Sequence, residues 1–297
     1  MHYYNAFVFY KKYYYFIVMS RTNNTFQLQK FNLDWIKDDS IVMLLGGRRT
    51  GKTTIIKDIM YHKRHLPAAV VMSGTEECND EFNGIVPDSY IFDGWHPEIA
   101  AKILKRQAKL RKILRARGVP ESSLSKLMGI IVTMEDLGYD SKSWAKSREI
   151  KSMFMNGRHF KLLCIIPMQY AVDIPPNLRD QVDYVFILRQ NKIKRRIGLW
   201  EHWAGIFPNP DIFGQVLNQT TNNYECLVID NTKTETHDLQ DSVYFFKADI
   251  HKQPFRVGNE KYWNSHLKKY NPKYNDDSDD DRPVSGKKPI VKVNKMY

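Results

Sequence analysis

Short apolar runs alternate with longer amphipathic stretches from Phe26 onward. This alternation is typical of β-α units that feed a mostly parallel sheet, so it predicts an α/β fold with helices flanking the sheet. The predicted strands are Ile41–Leu45, Ala68–Met72, Gly129–Met134, Lys161–Pro167, Asp183–Leu188 and Tyr224–Ile229.

Two helices can be placed from their end signals. The first is predicted to begin at Lys52 and to run toward His62. The second begins near Pro97, because proline suits a first helical turn, and ends at Gly118. The second helix carries an apolar stripe beside many basic residues, so we interpret its basic side as a solvated face, with contact to DNA phosphate or a neighbouring subunit as the alternative. The stripe consists of Ile103, Leu104, Leu110, Ile113 and Leu114.

Length and composition favour one large domain with appendages. The chain has 297 residues, 42% of them hydrophobic, which is near the size at which single cores stop growing. We expect the domain to cover 26–270. Residues 1–25 are expected to be an N-terminal extension outside the core, with 1–18 an upstream extension of the reading frame. Residues 271–297 are polar and charged, which predicts a disordered tail.

The charge and cysteine content narrow the function classes. A net charge of +12 favours a polyanionic partner such as nucleic acid or an anionic membrane face, although a merely basic soluble surface is the alternative. The cysteines, Cys78, Cys164 and Cys226, are odd in number and far apart, which argues against a disulfide framework or a zinc cluster and favours a reducing setting. No apolar run approaches the ~20 residues that a membrane-spanning helix needs.

A phosphate-binding loop is the strongest motif. The spacing Gly46-x4-Gly51-Lys52-Thr53 satisfies the Walker A pattern between a predicted strand and a predicted helix. Backbone N–H groups of such a loop surround the phosphates, the lysine reaches the β and γ oxygens, and the hydroxyl ligates Mg²⁺. The sequence therefore predicts ATP and Mg²⁺ as ligands. The predicted nucleotide-binding residues are Gly46, Gly47, Arg48, Arg49, Thr50, Gly51, Lys52, Thr53 and Thr54.

A P-loop enzyme also needs acidic residues at the end of a neighbouring strand. Glu135 and Asp136 follow the apolar run that ends at Met134, so they are the candidates for metal ligand and water-aligning base. The alternative is a plain strand-to-loop transition. Gln169, just beyond another strand, stands where a γ-phosphate sensor is expected, although any surface glutamine after a strand looks the same.

The motifs GGRRTGKTT, MEDLGYD, FMNGRHFKLLCIIPMQY, LRDQVDYVFILR and WAGIFP occur in one order and spacing. Together they resemble the DNA-packaging ATPases of nucleocytoplasmic large DNA viruses, a branch of the FtsK/HerA translocases. The resemblance runs from about Phe31 to Asp230. It implies a RecA-like P-loop core, a homo-oligomeric ring, and ATP-driven translocation of double-stranded viral DNA into a capsid. It also implies capsid or inner-membrane virion proteins as partners and a location in the virion or a cytoplasmic viral factory.

The resemblance also implies roles for single residues. Lys52 and Thr53 match the Walker A pair, and Gln169 matches the sensor glutamine. Glu135 and Asp136 stand where the family has two aspartates, which leaves open which acid holds the metal, with Glu135 as the assigned ligand beside Thr53. Arg158 resembles an arginine finger that completes a neighbour's site, with Arg179 and Arg189 as fallbacks, although a helix-end cation favoured by the macrodipole is the structural alternative.

Two other functions remain open at this point. A non-catalytic ATP-binding scaffold could anchor DNA or a capsid vertex, with Glu135 marking lost hydrolysis. A helicase of another P-loop family would instead separate strands. DNA-stimulated ATP turnover would favour the motor over the scaffold.

Overall fold

The computed structural model describes residues 27–74, 80–135, 137, 144–170, 174–233, 235 and 238–269. The predicted extension at 1–25 and the predicted tail at 271–297 lie outside these ranges, as do Cys78 and Asp136. Those predictions therefore stay as they were made.

The centre of the molecule is a single nine-stranded sheet. Its strands are β1 (Gln29–Lys30), β2 (Ile41–Leu45), β3 (Ala68–Ser73), β4 (Ile91–Asp93), β5 (Ile130–Glu135), β6 (Leu162–Met168), β7 (Tyr184–Ile187), β8 (Glu225–Asp230) and β9 (Val243–Lys247). Their order across the sheet is β1-β9-β8-β7-β2-β6-β5-β3-β4. Neighbouring strands are parallel except where β8 pairs antiparallel with β7 and with β9. The predicted α/β fold with a mostly parallel sheet is confirmed.

Helices flank this sheet. They are α1 (Lys52–His62), α2 (Pro97–Ala116), α3 (Leu124–Met128), α4 (Arg148–Phe160), α5 (Pro176–Arg179), α6 (Ile193–Trp203), α7 (Pro210–Thr220), α8 (Leu239–Ser242) and α9 (Glu260–Lys269). Short 3-10 turns cover Leu33–Trp35, Asp88–Tyr90 and Glu121–Ser123. Among the described residues, none of these helices is both long and apolar enough to cross a membrane.

The central strands form because their sequences are continuous apolar runs. Every residue of β2, β3, β5 and β6 is buried, as expected for parallel strands that are covered on both faces. The six predicted strands are confirmed with ends that shift by one residue at most, and the two predicted helices are confirmed as α1 and α2. The α2 stripe is only partly covered, because Ile103 is buried whereas Ile113 is 37% exposed.

Three strands were not predicted. β1 and β4 are the outermost strands of the sheet. They have two and three residues, which is too short for a strand pattern to be recognised in the sequence. β9 has five residues with mixed burial, and its antiparallel pairing with β8 depends on tertiary contacts.

The ends of the strands form two opposite edges of the sheet, which we call the carboxyl edge and the amino edge. The five strands β2, β3, β5, β6 and β7 run in one direction, so their carboxyl ends meet at one edge and their amino ends at the other. β8 runs the opposite way, which brings its first residue to the carboxyl edge. Ligands of open α/β sheets bind outside the carboxyl ends of the strands, so the functional site is expected at that edge.

Candidate nucleotide-binding site

The predicted P-loop connects the end of β2 to the start of α1. Gly46 opens the loop, and its N–H donates to the Met168 carbonyl of β6 at 3.1 Å. A Cβ on Gly46 would lie 2.8 Å from Leu188 Cβ, which is too close for any side chain. Gly51 ends the loop with a φ of 98°, in the left-handed region that favours glycine, and no side chain caps α1 there. The open helix N-terminus and the two glycines make a cradle that can accept phosphate.

Polar side chains of the loop donate hydrogen bonds to backbone carbonyls of the same loop. The Lys52 ammonium donates to the carbonyls of Gly46 at 3.1 Å and Gly47 at 2.7 Å, and the Thr50 hydroxyl donates to Gly47 at 2.9 Å. Lys52 therefore lies over the loop, where phosphate oxygens could take the place of the carbonyls. Of the remaining predicted binding residues, Arg48 and Arg49 are exposed and Thr54 is half-buried in the first turn of α1.

Glu135, the first of the two predicted acids, is hydrogen-bonded to the P-loop. The Thr53 hydroxyl donates to Glu135 Oε1 at 2.5 Å, although the two residues are 82 positions apart in the chain. Glu135 is 8% exposed at the last position of β5, and its carbonyl accepts the N–H of Gly74. The structure thus brings together the two residues predicted to hold the metal.

These two residues fit a magnesium ion. A hydroxyl and a carboxylate are hard oxygen ligands, and Mg²⁺ is usually held by one or two protein carboxylates together with substrate phosphates and water. Among the described residues, no group of three or more His, Cys, Asp or Glu side chains could hold a metal alone, and an ion shared with a nucleotide needs no such group. Asp136 lies outside the described residues, so the division of roles between it and Glu135 stays a prediction.

Gln169 lies at the same edge, next to the loop. It follows β6, which pairs with β2, and it borders a cavity of about 150 Å³ together with Gly46. Gln190 and two cations of α6, Lys194 and Arg195, also line this cavity. The guanidinium of Arg195 lies over the ring of Tyr170, 4.5 Å from its centroid. Gln169 is therefore one residue away from a contact with a basic helix, a connection that was not predicted from the sequence.

Arg158 lies at the other edge of the sheet. It is in the last turn of α4, just before β6 begins, and its guanidinium donates to Asp183 Oδ1 at 2.7 Å. The Arg158 side chain is 71% exposed, whereas that of Asp183 is 5% exposed. Burial raises the pKa of Asp183, and the Ile41 N–H and the Arg158 cation act against that rise. Within one chain, Arg158 is thus not brought together with the P-loop, and its role in a neighbour's site stays a prediction.

The two fallback arginines differ in position. Arg179 ends α5, and its Nε is buried without a hydrogen-bond partner among the described residues. Arg189 is exposed at the carboxyl edge, two residues beyond β7, and donates to Asn191 at 3.2 Å. Of these arginines, Arg189 is on the same edge as the P-loop.

A tyrosine beside the P-loop was also missed. Tyr224 precedes β8 and is 72% exposed, and its Cδ1 lies 3.5 Å from where a Cβ on Gly51 would be. In the sequence it stands only as the start of a predicted strand. The paired asparagines before it, Asn222 and Asn223, are a turn signal that could have directed attention to it.

The basic face of α2 is a second candidate surface. Lys102, Lys105, Lys109 and Lys112 are all exposed and follow the helical repeat, so they form one stripe. Other cations near the end of this helix are paired instead, since both Arg111 and Arg115 contact Glu121.

Comparisons with known proteins place the chain among proteins of large DNA viruses. It is 34% identical over 260 residues to uncharacterized protein L437 of Acanthamoeba polyphaga mimivirus, covering 86% of this chain and 88% of that protein. It is 32% identical over 237 residues to uncharacterized protein 075L of Invertebrate iridescent virus 6, covering 79% of this chain and 88% of that protein. No family model matches the chain.

Solved structures resemble it more distantly. The genome packaging NTPase B204 of Sulfolobus turreted icosahedral virus 2, in complex with ATP-gammaS, has a TM-score of 0.48 and 17% identity over 72% of this chain and all of that one. The conjugation coupling protein TcpA of pCW3 has a TM-score of 0.47 and 15% identity over 78% of this chain and 66% of that one. Likeness at this level carries no information about chemistry.

Proposed function

We propose that the chain, which belongs to a family of proteins found in several large DNA viruses, is a DNA-packaging ATPase, an ATP-driven motor that translocates double-stranded viral DNA into the capsid during virion assembly. Its place of action would be the virion or the cytoplasmic viral factory. Capsid or inner-membrane virion proteins would anchor it there.

One observation carries the enzymatic part of this proposal. The Thr53 hydroxyl and the Glu135 carboxylate meet at 2.5 Å, next to the lysine of a glycine loop. Two oxygen ligands and a cation that can reach phosphate therefore converge at the carboxyl edge of a parallel sheet. A P-loop ATPase requires this combination to hold the terminal phosphates and their metal.

The residues divide the work as follows. Backbone N–H groups of 46–53 and the Lys52 ammonium bind the β and γ phosphates, because Lys52 can exchange its two carbonyl contacts for phosphate oxygens. Thr53 and Glu135 would hold Mg²⁺, which when bound neutralises charge that develops on the phosphoryl oxygens. Gln169, which lines the same cavity as Gly46, would sense whether the γ-phosphate is present. Asp136 or Glu135 aligns the attacking water.

The DNA part of the proposal is supported by charge and by one contact. The net charge is +12, and α2 and α6 each present cations to solvent. Because Arg195 of α6 contacts Tyr170, the residue after Gln169, a change at the sensor could shift a basic helix. Such a link between nucleotide state and a phosphate-binding surface is what a translocase needs, and gripping the backbone makes it indifferent to sequence.

The proposal includes a ring of identical subunits, in which an arginine of one subunit completes the site of the next. Arg158 is the arginine proposed from the sequence. Arg189 is the alternative, supported by its position on the P-loop edge.

The decisive experiment compares two lysines of α1. Lys52→Ala should abolish DNA-stimulated ATP hydrolysis without loss of fold, because the Lys52 ammonium is the cation that lies against the Gly46 and Gly47 carbonyls, where the phosphates would bind. Lys57→Ala is the matched control, since Lys57 pairs with Glu81 and lies outside the loop. The turnover of Lys57→Ala should equal that of the wild type.

Wild-type turnover in Lys52→Ala would refute the assignment of the nucleotide site. Tight ATP binding without turnover in the wild-type chain would support the non-catalytic scaffold instead, and strand separation would support a helicase.

A further inference from the structure

Tyr224 stands in a turn whose backbone suits a different residue. The N–H of Glu225 donates to the carbonyl of Asn222 at 2.9 Å, which closes a four-residue turn. Both central residues have positive φ, 51° at Asn223 and 64° at Tyr224. Turns of this kind favour asparagine and glycine at those two positions, and a bulky residue with positive φ is an outlier. Asn223 matches that preference and Tyr224 does not.

Burial does not explain the tyrosine. Its side chain is 72% exposed, so little apolar contact within the chain offsets the unfavourable backbone. Within the described part of the chain, the ring stacks on no other aromatic ring and lies under no cation. A strained residue that presents an open aromatic face is better explained by a ligand than by folding.

The position of the ring indicates which ligand. Tyr224 Cδ1 lies 3.5 Å from the position that a Cβ on Gly51 would take, and Gly51 is the residue just before α1. Seen from β2, the proposed metal ligand Glu135 ends β5 and the proposed sensor Gln169 follows β6, both on one side. Tyr224 precedes β8 and lies on the other side, beyond β7. A nucleotide whose γ-phosphate faces Glu135 and Gln169 would therefore direct its other end toward Tyr224.

We propose that Tyr224 forms the nucleobase subsite of this P-loop, with its ring stacked on the base of the bound nucleoside triphosphate. The inference rests on the proposed function, since it assigns the base end of the same site. An aromatic face stacks on any base, so this contact would supply affinity without choosing adenine over guanine. Base selection would have to come from hydrogen bonds elsewhere.

The test separates the ring from the turn by using two glycine variants of the full-length chain. Tyr224→Gly removes the ring and suits the positive φ, so it should not lower the melting temperature. Asn223→Gly suits the same turn and keeps the ring. Binding to a non-hydrolysable ATP analogue and to inorganic tripolyphosphate, each with Mg²⁺, is measured by calorimetry.

The expected results differ by ligand. Tyr224→Gly should bind the ATP analogue roughly 5- to 150-fold more weakly, the loss that corresponds to one base–aromatic stack, while its affinity for tripolyphosphate stays that of the wild type. Asn223→Gly should bind both ligands as the wild type does, and Tyr224→Phe should retain most of the affinity for the analogue. GTP and ATP analogues should lose affinity to a similar extent in Tyr224→Gly.

Other outcomes would overturn the inference. If Tyr224→Gly binds the ATP analogue with wild-type affinity, or loses both ligands equally, Tyr224 is not a base subsite, and the P-loop assignment stands. If the wild-type chain binds neither ligand, the proposed function fails together with the subsite.

Discussion

The two edges of the sheet are built from similar residue types but are satisfied in different ways. At the carboxyl edge, the Lys52 ammonium is held by two backbone carbonyls of its own loop, and the hydroxyl of Thr53 is held by Glu135. At the amino edge, cations meet carboxylates: Arg158 pairs with Asp183 and Lys161 pairs with Asp39. Neutral carbonyls are weaker partners for a cation than carboxylates are. A phosphate can therefore displace the two carbonyls from Lys52 more readily than it can displace Asp183 from Arg158 or Asp39 from Lys161.

This difference indicates where a ligand can bind without disrupting the fold. The two carbonyl contacts of Lys52 span six residues or fewer within one loop, so exchanging them leaves the strands in place. The amino-edge contacts join separate elements, since Asp183 also accepts the N–H of Ile41 at the start of β2. Losing them would affect the relative placement of β2, β7 and α4.

Apart from Lys52→Ala, the largest effect is expected for the arginine finger, and it would show that a residue of the amino edge also acts in catalysis. If Arg158 acts in a neighbour's site, Arg158→Ala should lower the rate of DNA-stimulated hydrolysis by roughly 10³- to 10⁵-fold, as for fingers supplied in trans in other P-loop enzymes. A mixed assembly of Arg158→Ala and Lys52→Ala subunits should recover part of the activity, because some intact Lys52 sites would face an intact Arg158.

Two controls distinguish the finger from a structural ion pair. Asp183→Asn removes the carboxylate that holds Arg158 but can still accept the Ile41 N–H, so it should leave the rate near normal if Arg158 is needed elsewhere. Arg189→Ala tests the arginine on the P-loop edge. If Arg158→Ala turns over at a near-normal rate and only its melting temperature changes, Arg158 belongs to the amino edge and the finger is another residue.

The next effect concerns the acid at the carboxyl edge. Glu135→Gln keeps the size of the side chain but removes its charge, so turnover should fall by roughly 10²- to 10³-fold, as for loss of one electrostatic contact in other enzymes. The Mg²⁺ concentration for half-maximal activity should also rise. Asp136→Asn should lower turnover with a smaller effect on the Mg²⁺ requirement. Unchanged kinetics in both variants would show that β5 does not carry the catalytic acids.

The sequence was sufficient for the centre of the molecule and not for its periphery. β2, β5 and β6 were predictable because each is a fully buried apolar run followed at once by a loop or an acidic or amide side chain. The Thr53–Glu135 contact followed from two motifs at the ends of two parallel strands. By contrast, the Arg158–Asp183 pair depends on the register of α4 against β7, and the open face of Tyr224 depends on a backbone angle. Neither is encoded in a local pattern.

A smaller effect is expected on DNA affinity. Lys105 and Lys109 of the α2 stripe are exposed and form no ion pair with any described residue, so their charges are available for phosphate. A double variant, Lys105→Ala with Lys109→Ala, should reduce the slope of log affinity against log salt by about 1.8, at about 0.9 for each DNA phosphate that a lysine no longer neutralises. Fluorescence anisotropy with two unrelated duplexes measures this slope. An unchanged slope would leave α2 as a solvated face and make α6 the surface to test next.

The smallest effect concerns the inside of the sheet, just below the carboxyl edge. Thr133 is fully buried in β5, two residues before Glu135, and its hydroxyl has no hydrogen-bond partner among the described residues. Valine has the same shape without the polar atom, and leaving a buried hydroxyl unpaired costs about 1 kcal/mol or more. Thr133→Val should therefore raise the free energy of unfolding by about 1 kcal/mol.

Thr220→Val is the matched control, because the Thr220 hydroxyl is also buried but donates to the Val216 carbonyl at 2.9 Å. That change should lower the free energy of unfolding by about 1 kcal/mol. Denaturant unfolding of both variants measures the opposite signs. If Thr133→Val instead lowers the free energy of unfolding and reduces turnover, the Thr133 hydroxyl takes part in the nucleotide site.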